Sequence, residues 1–314
     1  MTALPSSCRV LFTALLTLLC QPLLGAASDP PATTIAYIPA QVTPAALPQP
    51  MAAHEGFVDV GDTRLWYRDT GGAGETILLL HPFSGSAAVF AYQESALAAE
   101  GYRVVAYSRR GHFQSGIGDP DHPAPGVSDL MKLLEHLQID RFHLVGFAAG
   151  ANIVPDFAIA SPQRLLSIAI GCTIGQPGDP AYAASNATLL PAELMALPVW
   201  LKELSPAYRA ANSAGAARWR ELNETSSSRR VAVPLLNDIT PERLAAIDLP
   251  VLLFTGDSDF YMPPSRLAAY ARYWRAPEVV VFSEAGHAVY WEQPEAFNAT
   301  LLRFLRLHPD TGAQ

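Results

Sequence analysis

The reading of the fold turns on Phe142-His143-Leu144-Val145-Gly146-Phe147-Ala148-Ala149-Gly150-Ala151. Phe142 to Val145 reads as a strand, and Ala151 to Ala160 as a helix packed back on the sheet. Between them, Gly146 and Gly150 bracket a turn of the form Gly-X-Ala-X-Gly. Glycines flank such a turn when the chain must reverse sharply and pack closely, lifting the central side chain over the end of the sheet. That central side chain is Ala148, a methyl group with nothing to offer as a nucleophile.

Outward from this turn, short aliphatic runs alternate with helical patterns. Ile77 to Leu80, Val104 to Tyr107 and Leu165 to Ile170 read as buried strands. Ala87 to Ala99 and Val127 to Leu137 read as helices, the first closed by Gly101. Phe57 to Val60 and Leu65 to Arg68 read as a hairpin around Gly61-Asp62. The alternation pauses between residues 173 and 248, a stretch of helical pieces and prolines. It then resumes with strand Val251 to Thr255, helix Ser265 to Trp274, strand Val279 to Phe282 and helix Pro294 to Leu307. This order predicts an α/β protein: a doubly wound, mostly parallel sheet with a helical cap insertion. The expected division is a core of residues 55–172 and 249–310, with the cap at 173–248.

The chain has 314 residues, half of them hydrophobic and 16% charged, with a formal net charge of −8. Lysine and arginine are scattered, so no basic stripe marks a nucleic-acid partner. Residues 1–27 read as a signal peptide: Arg9, the apolar run Val10 to Leu19, then Gly25-Ala26-Ala27. The expectation is a secreted or periplasmic protein with no stable membrane association after cleavage. Processing would leave Cys172 as the lone cysteine, so no internal disulfide is expected. Residues 28–54, rich in proline and alanine, read as an extended linker.

Four landmarks lie at the ends of the predicted strands: His81-Pro82-Phe83-Ser84-Gly85, Ser108-Arg109-Arg110-Gly111-His112-Phe113-Gln114-Ser115, the turn at Gly146 to Gly150, and the pair Gly256-Asp257-Ser258-Asp259 with Ala285-Gly286-His287. In this order and setting, Gly56 to Leu307 resembles the α/β-hydrolase superfamily, in its esterase, lactonase and haloperoxidase-like branch. The alanine at the elbow is similar to a serine-less subgroup of it. The resemblance implies that His287 is the catalytic histidine and Asp259 its acid, with Asp257 the fallback acid and otherwise a turn former. It implies an oxyanion hole from the N–H groups of Phe83 and Ala149, although Pro82 replaces the usual glycine. Arg110 is expected to be a scaffold residue; for Arg109, reaching an anionic group is one reading and a plain surface arginine the favoured one.

Ser84, Phe147 and Tyr261 are expected to contact substrate. Tyr290 and the cap's Trp200, Tyr208 and Trp219 are further aromatics for the pocket or the core, and Cys172 a buried small residue. Without a metal-ligand cluster, phosphate loop or dinucleotide fingerprint, neither metal nor cofactor is expected. The partner expected is a small, mostly apolar carbonyl compound, ester-like or lactone-like, acted on by His287 and Asp259 as a general base. Two alternatives stand beside this: a serine esterase inactivated by a Ser-to-Ala replacement, and a non-catalytic binding protein of the same fold.

Overall fold

The structure, a computed structural model, describes residues 34–312 apart from 42, 50, 227, 228 and 230. The expected signal peptide lies outside the described residues. No helix among the described residues is long and apolar enough to cross a membrane.

Nine strands form one sheet: β1 (Ile35–Ile38), β2 (His54–Asp59), β3 (Arg64–Asp69), β4 (Thr76–Leu80), β5 (Arg103–Tyr107), β6 (Phe142–Phe147), β7 (Leu165–Gly171), β8 (Val251–Gly256) and β9 (Glu278–Phe282). Their order across the sheet is β1-β9-β8-β7-β6-β4-β5-β3-β2. Only the β2–β3 and β3–β5 pairings are antiparallel. The mostly parallel, doubly wound sheet expected from the sequence is what forms.

The central strands are aliphatic throughout because both faces are covered. On β4, Leu78 and Leu80 enter one buried cluster, with Leu130, Leu133 and Phe157 of helices Gly126–His136 and Ile153–Ala160. Ile77 and Leu79 point the other way, toward Leu97, Leu301 and Leu305 of helices Ala91–Ala99 and Pro294–Arg306. Period-two alternation along one strand thus builds two cores.

Between β7 and β8 the described residues form six helices: Pro180–Leu189, Ala192–Met195, Val199–Glu203, Pro206–Ala211, Ser213–Thr225 and Pro241–Ala245. The prolines that interrupted the pattern begin three of them, behind the capping side chains Asp179, Ser205 and Thr240. A proline at the first helical position loses no hydrogen bond, and its fixed φ suits the helix. Leu204, Tyr208, Trp219 and Leu222 from this segment join the second core.

The segment read as a linker differs from that expectation in one place. Ile35–Ile38 is a strand, pairing in parallel with β9 from Ile35↔Val279 to Ile38↔Phe282. Without it, β9 would present an unpaired apolar edge. Four β-forming residues between prolines are too short a run to stand out from a Pro/Ala-rich background. Farther on, the carbonyls of Ala45, Ala46 and Met51 accept hydrogen bonds from Asn212, Tyr92 and Arg68.

Candidate active site

The elbow is built as the glycines required. A Cβ on Gly146 would stand 2.6 Å from Cα of Ala151, and one on Gly150 would stand 2.4 Å from the Leu80 carbonyl oxygen. Ala148 itself sits at φ +49°, a left-handed conformation costing a non-glycine residue about 1–2 kcal/mol. Its N–H donates to the Gly171 carbonyl at 2.9 Å. The N–H of Ala149 has no acceptor among the described residues. The strained turn therefore persists without a hydroxyl, and what it presents is a backbone donor.

Two strands away Asp259 follows β8, and three strands away His287 follows β9, so both share with Ala148 the carboxyl edge of the parallel strands. Nδ1 of His287 lies 3.0 Å from each Asp259 carboxylate oxygen. The single Thr255 hydroxyl proton is shared between the Met262 carbonyl at 2.7 Å and Oδ2 at 3.0 Å, and the N–H groups of Tyr261 and Met262 donate to Oδ1 at 2.8 and 3.2 Å. Burial pushes the Asp259 carboxyl up, but the His287 charge and hydrogen bond and the two backbone N–H groups outweigh it and hold it below its ordinary value. Burial pushes the imidazole down, but the Asp259 charge and hydrogen bond, with Glu203 and Glu292 nearby, leave it raised. A carboxylate at Nδ1 leaves Nε2 as the nitrogen available for proton transfer. Asp257, in contrast, is exposed and accepts only from the Ser258 hydroxyl beside it.

The ring of Tyr261 lies over His287, with centroids 4.5 Å apart. Ser84 is buried, and its hydroxyl donates to Glu203 Oε2 at 2.7 Å. A carboxylate from the helical segment between β7 and β8 thus meets the loop that follows β4. Below it, Glu292 accepts from the N–H of Gly286 at 3.0 Å and of Ser205 at 3.1 Å. It ties the loop bearing His287 to the helical segment between β7 and β8, and burial raises its carboxyl to about 7.

Some expectations need correcting. Phe147 does not line a cavity: it is fully buried against Phe90, Phe254, Tyr290 and Phe297. The turn lifts residue 148 over the sheet edge and leaves its predecessor in the core. Tyr290 and Trp219 belong to the same aromatic core. Arg109 is not a surface residue but is 6% exposed. Together with Phe83, Ala149, Asn152 and Gln176 it lines a cavity of about 220 Å³ beside the elbow. Arg110 is the scaffold residue expected, buried between Asp129 and Asp62 at 2.8 Å. Cys172 is buried as expected, its thiol pushed up by burial.

The sequence of residues 77–300 matches the model described as the alpha/beta hydrolase family. The chain is 28% identical over 265 residues to the 2-hydroxy-6-oxononadienedioate/2-hydroxy-6-oxononatrienedioate hydrolase of Paraburkholderia xenovorans, spanning 78% of this chain and 91% of that protein. Among solved structures, a thermophilic esterase from Thermogutta terrifontis superposes with a TM-score of 0.68 at 23% identity, over 82% of this chain and all of that one. The enol-lactonase of Burkholderia xenovorans LB400 gives 0.63 at 22% identity, over 80% and 100%.

Proposed function

The chain belongs to the alpha/beta hydrolase family, and on that premise we propose that it is a hydrolase whose base is His287 rather than a serine alkoxide. The observation that carries this reading is the buried His287–Asp259 pair, supported by two backbone donors, on the same carboxyl edge of the sheet as an elbow with no hydroxyl. A site that had lost all chemistry would have no need to keep so costly a buried ionic pair.

In this reading Nε2 of His287 takes a proton from water as the water oxygen bonds to the substrate carbonyl carbon. The carbonyl π electrons move onto oxygen, and the N–H groups of Ala149 and Phe83 receive that oxyanion. Collapse re-forms the carbonyl and breaks the bond to the leaving oxygen, which takes the proton back from His287. The products are a carboxylic acid and an alcohol. Asp259 stays ionised and fixes the imidazole. The substrate class is a small carbonyl compound, ester-like or lactone-like. Export across a membrane, supported by the apolar run at residues 10–19, belongs to the same proposal.

The test is turnover of short esters and lactones by the native chain before and after treatment with a fluorophosphonate. Activity that survives the reagent and falls in H287A supports the reading. Activity equal in native protein and H287A would overturn it, as would binding without conversion in every case.

A further inference from the structure

Two consecutive arginines follow β5, both buried, and the fold treats them differently. Arg110 is neutralised by Asp129 and Asp62. Arg109 has no carboxylate within ion-pair distance among the described residues, and its Nη2 donates only to the His81 carbonyl, at 3.1 Å. Its Nε is buried without an acceptor, and Nη1 makes no hydrogen bond among the described residues. A buried charge without a partner is costly and is usually compensated by an anion. Among the described residues that line the cavity of about 220 Å³ beside the elbow, Arg109 is the one charged residue and none is acidic. Asn152 and Gln176 add side-chain amides to its wall. The same cavity reaches Ala149, whose N–H has no acceptor among the described residues.

We propose that this cavity is an anion subsite in which Arg109 receives a carboxylate carried by the substrate, on the far side of the carbonyl presented to Ala149. The inference rests on the reading that the elbow is the site of reaction, and it narrows the substrate to a carbonyl compound bearing a carboxylate. A single guanidinium matches one negative charge, which favours a carboxylate over a phosphate dianion. The ligand's anion then supplies the countercharge that the protein withholds from Arg109 and gives to its neighbour.

The experiment measures binding of phenylacetate and its neutral isostere phenylacetamide to the full chain, by calorimetry and by the shift in melting temperature. It uses native protein, H287A, R109M and Q176E. Phenylacetate is expected to bind native protein and H287A alike, and phenylacetamide at least 10-fold more weakly. R109M is expected to lose about 10- to 100-fold in affinity for the carboxylate, the worth of a charge-assisted hydrogen bond. Should R109M fail to fold, Q176E places a competing carboxylate in the cavity wall, and loss of phenylacetate binding there supports the subsite. Equal binding of acid and amide, carboxylate binding that survives in R109M or Q176E, or no binding of either probe to native protein would overturn it. Because H287A keeps the subsite, loss of turnover alone bears on the base and loss of binding alone bears on Arg109.

Discussion

Nδ1 of His287 is equidistant from the two carboxylate oxygens of Asp259, at 3.0 Å from each. A base held in this way has a raised proton affinity, because the carboxylate favours the imidazolium more than burial disfavours it. It acts only when deprotonated, so kcat/KM should rise with pH through a midpoint above the ordinary histidine value of about 6.5. Asp259→Asn removes the charge that raises it. That variant should lose roughly 10²–10⁴-fold in activity, with its residual acid limb displaced to lower pH. A pH profile unchanged by D259N would show that Asp259 does not tune the base.

Ala148 already occupies the left-handed conformation that an elbow nucleophile requires. Ala148→Ser should therefore be accepted without rearrangement of the turn, changing stability by less than about 1 kcal/mol. Mass spectrometry of fluorophosphonate-treated protein should find the label at position 148 in A148S and none there in the native chain. If ester hydrolysis appears only in A148S, base catalysis by the native site is wrong.

The flanking glycines are set by contact rather than by φ, and Gly150 is the stricter. Its missing Cβ faces two carbonyl oxygens, of Leu80 and His81 at 2.4 and 2.7 Å, which are backbone and cannot swing aside. Gly150→Ala should push the elbow off β4 and destabilise the chain by about 1–3 kcal/mol. Denaturant titration of G150A checks this, and an unchanged midpoint would show that the turn is loose.

The elbow, the acid and the histidine were legible because each follows an aliphatic strand and carries its own local pattern. Gly146 and Gly150, Asp259 after Gly256, and His287 after Gly286 all sit within a few residues of a strand end. What escaped notice has no such local signal. Glu203 meets Ser84 across 119 positions of sequence, from a segment with no period to align it. Glu292 sits in a run whose neighbours Tyr290 and Trp291 pack the core. The misplacement of Arg109 has a similar origin. The loop motif singles out Arg110, but the burial of Arg109 and its lack of an acidic partner among the described residues are set by distant elements that leave no mark beside it in sequence. Phe147 shows the reverse limit, since its neighbour's exposure at the turn says nothing about its own side chain.

Arg110 is wholly buried and bonds both oxygens of Asp129 at 2.8 Å. Burial already pushes the Asp129 carboxyl above its ordinary value despite that partner. Arg110→Met would leave the carboxylate in the core uncompensated, at a cost of about 3–5 kcal/mol. The double variant R110M with D129N should recover part of the loss, read by urea denaturation. If the double variant were no more stable than R110M, the pair would not be what anchors this loop.

Glu292 gives the stability a pH dependence of known sign. Its carboxyl titrates near 7 in the folded chain, against an ordinary value of 4.5. Between those values the folded state binds a proton that the unfolded chain has lost, so stability falls as pH rises. The contribution is complete below about 4.5 and gone above about 7. Glu292→Gln cannot titrate, and its amide nitrogen cannot accept from the second of the two N–H groups of Gly286 and Ser205. It should therefore cost roughly 1–3 kcal/mol. His287 and Asp259 impose slopes of their own, so the quantity to measure is the difference between the urea-unfolding free energies of native protein and E292Q from pH 4.5 to 8. That difference should shrink as pH rises toward 7 and then level off. A difference that stayed flat, or grew with pH, would mean that the tie between the loop bearing His287 and the helical segment between β7 and β8 is held by an ordinary ionised carboxylate.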